Sequence, residues 1–149
     1  MVSNDPIRLF IAHTFVEHDD FCKVVEYIQS KDSFFYVNTA SLIKPGGGDK
    51  AAQEELRKQI GLAEIVIVPV NIYKANPGLV DYQLRVAENF GLKVLALRPF
   101  GIDAELPREL RNCCAEVVEW ESRRIINSIK KLARNEHIPE YEVVEFTLE

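Results

Sequence analysis

The sequence predicts a flavodoxin-like α/β domain, a doubly wound sheet of five parallel strands in the order 2-1-3-4-5 with helices on both faces. Three observations carry that expectation. Short apolar runs alternate with segments of helical period along the chain. The links between them are short, which favours parallel strands joined by right-handed crossovers. The strongest run, Ile65 to Val70 (IVIVPV), is β-branched on both faces, as in a strand covered by helices on each side.

The elements follow in order. Ile7 to Ala12 (IRLFIA) is a strand-like run, after which Phe21, Val24, Val25 and Ile28 repeat at i, i+3, i+4 and i+7, one face of a helix. Thr14-Phe15-Val16-Glu17 fits a capping box at the start of that helix, with Thr14 bonding forward and Glu17 back. Phe34 to Val37 is the second strand, followed by a polar loop reaching Gly48. Asp49 is the expected N-cap of KAAQEELRKQIG, which carries Ala52, Leu56 and Ile60 on one stripe and stops at Gly61. In the third strand, Ile65 to Val70, Pro69 belongs at the end, because proline has no N–H for the ladder. A loop through Asn76-Pro77-Gly78 leads into a helix from Leu79 to Phe90, closed by Gly91. Lys93 to Leu97, Pro107 to Asn112 and Ala115 to Val118 read as strand, short helix and strand. A last helix from Glu121 to Arg134 aligns Ile125, Ile126, Ile129 and Leu132 on one face. Residues 1–135 thus form one domain. Residues 136–149 are an acidic tail in which Tyr141, Val143, Val144, Phe146 and Leu148 are spaced like a final strand, on this sheet's edge or on another subunit.

Composition narrows the function. The chain has 149 residues, 47% hydrophobic and 28% charged, enough for a real core without metals or cross-links. With 18 Lys and Arg against 23 Asp and Glu, the net charge of -5 argues against nucleic acid or an anionic membrane as the main partner. The opening segment lacks the pattern of an export signal, and no apolar run is long enough for a transmembrane helix. Cys22, Cys113 and Cys114 are odd in number and two are adjacent, which suits reduced cytoplasmic thiols better than a disulfide framework or a zinc site.

In a doubly wound sheet, ligands bind at the carboxyl ends of the strands, where the strand order reverses. The segments to inspect are His13 to Glu17, Asn38 to Asp49, Asn71 to Gln83 and Pro99 to Asp103. Their chemistry excludes several functions. The first and third strands end on His13-Thr14 and Asn71 rather than on the acidic residues of a phosphate-receiving regulator. Lys44-Pro45-Gly46-Gly47-Gly48-Asp49-Lys50 has the glycines of a P-loop without its Lys-Ser/Thr pair, so ATP hydrolysis is not expected. Those glycines serve either as a plain loop before a helix or as a place where backbone approaches a ligand. His13, His18 and His137 are scattered, and no metal is indicated.

The candidate ligand contacts are His13, Thr14 and Phe15 after the first strand, with the Phe15 ring offered to a base or nicotinamide. Tyr36, Asn38 and Ser41 lie at the mouth of the second strand, Asn71, Tyr73 and Asn76 near the third, and Tyr82 in the helix that follows is a further candidate contact. Gln83 is the most informative position. It shares one helical face with Leu79, Val86, Ala87 and Phe90, a stripe that should face the sheet, and a buried amide needs partners.

Taken together, Arg8-Leu9-Phe10-Ile11-Ala12-His13 with Asp19-Asp20-Phe21, Phe35-Tyr36-Val37-Asn38, Leu56 to Val70, Val80-Asp81-Tyr82-Gln83-Leu84 with Ala87, Lys93 to Gly101, and Val117-Val118-Glu119-Trp120 resemble the TIR-domain superfamily. The chain is most similar to bacterial TIR-like proteins of the type found in Thoeris antiphage defence. The resemblance spans most of residues 7 to 132 and rests on the order of these stretches. It implies a flavodoxin-like fold and NAD as substrate, with no prosthetic group. It also implies cleavage of the nicotinamide–ribose bond, with an ADP-ribose-derived product that activates a separate effector protein.

The resemblance places the catalytic carboxylate, a Glu within a Tyr-Glu-aliphatic triplet, at Tyr82-Gln83-Leu84. Gln keeps the shape and a hydrogen bond but loses the charge that would face an oxocarbenium-like ribose. Asp81 stands roughly 200° around the helix and is no easy substitute. Gln83 is therefore either a natural loss or a ligand-trapping substitution, and Gln83→Glu is expected to create or restore cleavage with little change in stability. Two other functions compete with the NAD-cleaving one: an adaptor that works by assembly or ligand binding without chemistry, and a nucleoside deoxyribosyltransferase-like enzyme.

Overall fold

Three runs of β-branched and large apolar residues, around Leu9, Val66 and Leu95, are buried except for Arg8 and Lys93 near their starts, and they become the middle of the sheet. In the computed structural model, which describes residues 5–30, 34–98 and 106–134, the strands are β1 (Ile7–Ile11), β2 (Tyr36–Asn38), β3 (Ile65–Pro69), β4 (Lys93–Leu97) and β5 (Glu116–Val118). The helices are α1 (Asp19–Gln29), α2 (Gly48–Gly61), α3 (Val70–Ala75), α4 (Pro77–Asn89), α5 (Arg108–Cys113) and α6 (Ser122–Arg134). Every strand pairing is parallel and the order is β2-β1-β3-β4-β5, as the alternation predicts. Leu9 sits between Asn38 and Ile65 in the ladder, and Ile67 between Ile11 and Leu95.

β3 is buried along its whole length. Right-handed crossovers bring α1 against α6 on one face and α2 against α4 on the other. The chain leaves β1 toward β2 and then returns to β3 on the far side of β1. The two adjacent loops therefore diverge above the sheet, and a crevice opens between them. No helix among the described residues is long and apolar enough to cross a membrane. The tail 136–149 and the Pro99 to Asp103 segment lie outside the described residues.

Several local expectations are corrected. α1 begins at Asp19, capped by His18 Nδ1 accepting from Asp20 N–H at 3.0 Å, so Thr14 and Glu17 form no capping box. The reason is Phe15, whose φ of 61° cannot start a helix. α2 is entered through Gly47 at φ 114°, one of the few residues that accept that backbone, and Asp49 lies within the first turn. Gly61 is the last helical residue of α2, and it is small because the Phe90 ring lies 3.3 Å from where a Cβ would stand. A helix, α3, follows β3 where a loop is expected. Proline needs no N–H at an N-cap, and six residues are too few to show a period. The buried face of α4 is Val80, Gln83, Leu84, Val86 and Ala87; Phe90 follows the helix, stays half exposed and packs on Gly61.

Candidate functional site

At the carboxyl ends of the first three strands lies a cleft of about 320 Å³. Its walls are Thr14 and Phe15 after β1, Lys44 before α2, Asp49, Ala52 and Gln53 of α2, and Asn76, Gly78, Leu79 and Tyr82 around the start of α4. The sequence dictates how these are held. Asn76 caps α4 by accepting from Leu79 N–H at 3.2 Å, and Pro77 takes the first turn, where its missing N–H costs nothing. The Tyr82 hydroxyl donates to the Gln53 carbonyl at 3.0 Å, tying α4 to α2 across the cleft floor.

Behind the cleft, two buried glutamines each clasp the backbone N–H and C=O of one loop residue. Gln83 is fully buried. Its Oε1 accepts from His13 N–H at 3.2 Å, while its Nε2 donates to the His13 carbonyl at 2.7 Å and to the Leu79 carbonyl at 3.3 Å. Gln59, 3% exposed, does the same for the loop after β2. Its Oε1 accepts from Ser41 N–H at 3.1 Å, and its Nε2 donates to the Ser41 carbonyl at 3.2 Å and to Glu55 Oε2 at 2.9 Å.

His13 joins the two clasps. Its Nδ1 accepts from Phe15 N–H at 3.1 Å, which leaves the proton on Nε2 to be donated to Gln59 Oε1 at 2.9 Å. Burial pushes the imidazole pKa below its usual value, against the opposing effect of the Gln59 bond, so the ring is held neutral. A histidine that must accept through Nδ1 cannot be an imidazolium without expelling the Phe15 peptide. The Phe15 ring stands edge-on to it, 4.9 Å between centroids and 82° between planes.

Of the expected site residues, the structure brings Thr14, Phe15, Tyr82 and Asn76 to the cleft, and it sets His13, Ser41 and Gln83 directly behind it. Asn38 ends β2, and its Oδ1 accepts from Ala40 N–H at 3.1 Å, shaping the loop. Tyr36 goes elsewhere. β2 runs two residues later than the expected Phe34 start, so Tyr36 opens the strand at the opposite pole, stacked on Phe34. Asn71 and Tyr73 are absorbed into α3 and do not line the cleft. The Tyr73 hydroxyl donates to Asp81 Oδ1 at 2.8 Å, and burial, with that carboxylate, pushes its pKa far above the phenol's usual value.

Gln59 was not singled out as a candidate from the sequence. Its signal was present: it falls at i+7 from Ala52 and i+3 from Leu56, a polar residue on an apolar helical stripe, as Gln83 is on α4. Lys44, the cation of the cleft, had no pattern around it beyond the glycines that fail as a P-loop.

Against the expectation that Gln83→Glu changes stability little stands the clasp. A carboxylate keeps the acceptor for His13 N–H, but it places a second lone-pair oxygen where an N–H now meets two carbonyls. The cysteines are free thiols, and burial, with Glu17 and other carboxylates around Cys22 and with Glu88 and Asp81 around Cys113, pushes them up rather than toward reactive thiolate. Among the described residues no group of His, Cys, Asp and Glu is arranged to hold a metal ion. No family model matches the chain, and no curated protein matches its sequence.

Proposed function

We propose that this chain is a TIR-like signalling domain of the bacterial antiphage type, acting in the cytoplasm, whose cleft holds NAD or an ADP-ribose-derived nucleotide without cleaving the nicotinamide–ribose bond. One observation carries it: the amide of Gln83, at the place of the family's carboxylate, is committed at both ends to the His13 peptide. Cleavage passes through an oxocarbenium-like ribose and calls for a negative charge facing it. A neutral amide, buried behind the cleft and engaged at both ends, does not supply that charge. The cleft is suited to holding instead. Phe15 and Tyr82 present rings to a base or nicotinamide, and Lys44 is a cation within reach of a pyrophosphate. The signal then passes by assembly of the occupied domain with a protein partner or a second copy, rather than through a released product.

The test is titration calorimetry with NAD alongside chromatography over hours for released nicotinamide, with deoxynucleosides in a parallel arm. Heat of binding with no free nicotinamide and no free base is expected. Nicotinamide release by the parent chain would restore the NAD-cleaving enzyme that feeds a separate effector. Free base from deoxynucleosides would favour a transferase. Absence of heat at millimolar NAD would leave an adaptor working through protein contacts alone.

A further inference from the structure

We infer that Gln59 is a positioning residue of the cleft: through the His13 ring it sets Phe15 in the turn that presents its ring to the ligand, and with the same amide it fixes Ser41. The inference rests on the reading that the cleft takes a nucleotide ligand, and it adds the device that shapes the cleft beforehand.

Phe15 is the one non-glycine residue with positive φ among the described residues, at 61°. A bulky side chain holds that conformation only where its surroundings impose it. Here the imposing contact is the bond from Phe15 N–H to His13 Nδ1. That bond exists only while Nδ1 is bare, which requires the proton on Nε2, and Nε2 faces Gln59 Oε1. The Gln59 carbonyl oxygen therefore selects the tautomer, and the tautomer holds the turn. The other end of the amide leaves no freedom to flip, because Nε2 is engaged by the Ser41 carbonyl and Glu55. Reversing the amide would break all four bonds. Gln59 and the peptide of Ser41 thus hold each other in register, and the loops after β1 and β2 behave as one preset wall. Pre-setting matters for binding, since a ligand that must order its own loops loses that ordering cost from its affinity.

The experiment is a double-mutant cycle on NAD affinity, read by calorimetry with the full chain. Phe15→Ala, removing one stacking face, is expected to weaken NAD by roughly 10-fold. Gln59→Leu, which removes the amide and all its bonds, is expected to weaken it by about 5-fold in the parent and by clearly less in the Phe15→Ala background, where only the hold on Ser41 is left to lose. Equal weakening in both backgrounds overturns the inference, because Gln59 would then act on the ligand by some other route. Two readouts stand apart from NAD and from the survival of the variant. Nitrogen NMR of the parent chain should show His13 protonated at Nε2 with a bare Nδ1, and the opposite tautomer overturns the inference. Hydrogen exchange at Phe15 N–H should be slow in the parent and faster by at least 10-fold in Gln59→Leu; unchanged protection overturns it as well. If the parent gives no heat with NAD while tautomer and exchange behave as stated, the nucleotide reading fails and the positioning role stands.

Discussion

The two poles of the sheet are fastened by opposite chemistry. At the carboxyl pole, neutral amides of Gln59 and Gln83 clasp loop peptides in buried space. At the amino pole the fastening is ionic and lies nearer to water. Arg134 reaches from the end of α6 to both oxygens of Glu64, at 2.8 and 2.9 Å, and to the carbonyls of Asp5 and Pro6, at 2.9 Å each. Glu64 also accepts from Arg8 N–H at 2.9 Å. The Arg134 guanidinium, with burial opposing, holds the Glu64 carboxyl below the usual carboxylate range. The amides themselves neither titrate nor respond to screening by salt, so the titratable group of this network is the His13 ring between them, while the staple at the other pole is ionic throughout. The candidate cleft lies at the first pole and anchorage of helix to strand at the second.

The sharpest way to break the comparison is to put a charge into a clasp. Gln83→Glu should cost roughly 3 kcal/mol at neutral pH, since a carboxylate oxygen would then stand against the His13 and Leu79 carbonyls in buried space. The protonated acid can still donate to one of those carbonyls, so the folded-state pKa of this Glu is raised. The stability is therefore present below the unfolded value and lost as pH rises through the raised one. Thermal melts from pH 4 to 8 check this. A variant as stable as the parent at pH 8 would mean the clasp is not what holds His13.

At the amino pole, Arg134→Met keeps the stem and removes the fork. With both side chains mostly buried, the loss is expected to be about 1.5 kcal/mol. The Glu64 contribution, present above the unfolded carboxylate pKa and lost as pH falls through the depressed one, should shrink with it. NAD affinity should not change. A fall in affinity would show that the two poles communicate, against the division drawn above.

The sheet was legible because its evidence is periodic: β3 announces itself by β-branched residues on both faces, and α6 by Ile125, Ile126 and Ile129. Gln83 was legible for the same reason, as a polar residue on an apolar face, although what it clasps could not be read, because His13 is seventy positions away. Tyr36 failed on register, since a strand of three residues leaves its ends unmarked and a shift of two moves a side chain from one pole toward the other. α3 failed on length. The turn at Phe15 is closed by a local bond to the His13 ring, but that ring is oriented by Gln59, far along the chain, so the pair His13 and Phe15 alone does not announce the turn.

The poles should also part in acid. His13 is neutral in the fold with its pKa lowered, so the unfolded chain binds its proton first and stability declines as pH falls below the unfolded value near 6.5. Glu64 starts to contribute its own loss only as pH falls below the usual carboxylate range. Melts of the parent should therefore show two successive declines. His13→Asn, whose Oδ1 can take the place of Nδ1 toward Phe15 N–H, should remove the upper decline and leave the lower one. A parent whose stability is flat between pH 7 and 5 would show that His13 does not titrate differently on folding.

The smallest expected effect tests how tolerant the amino pole is. Gly61 closes α2 with a helical backbone, so an alanine there meets no conformational penalty, and replacing a helical glycine contributes about 0.5 to 1 kcal/mol. Against this stands the Phe90 ring, whose Cζ lies 3.3 Å from the new Cβ. That contact is tighter than ordinary packing, but Phe90 follows α4, is 45% exposed and can yield outward, with Arg57 over its ring moving along. The helical gain should exceed the displacement, giving Gly61→Ala a net stabilisation of about 0.5 kcal/mol by denaturant titration, with NAD binding unchanged. The outcome depends on which side of Phe90 is free. If Gly61→Ala destabilises the chain, the ring is held from outside as firmly as the clasped loops are from within, and the amino pole is as closely fitted as the cleft.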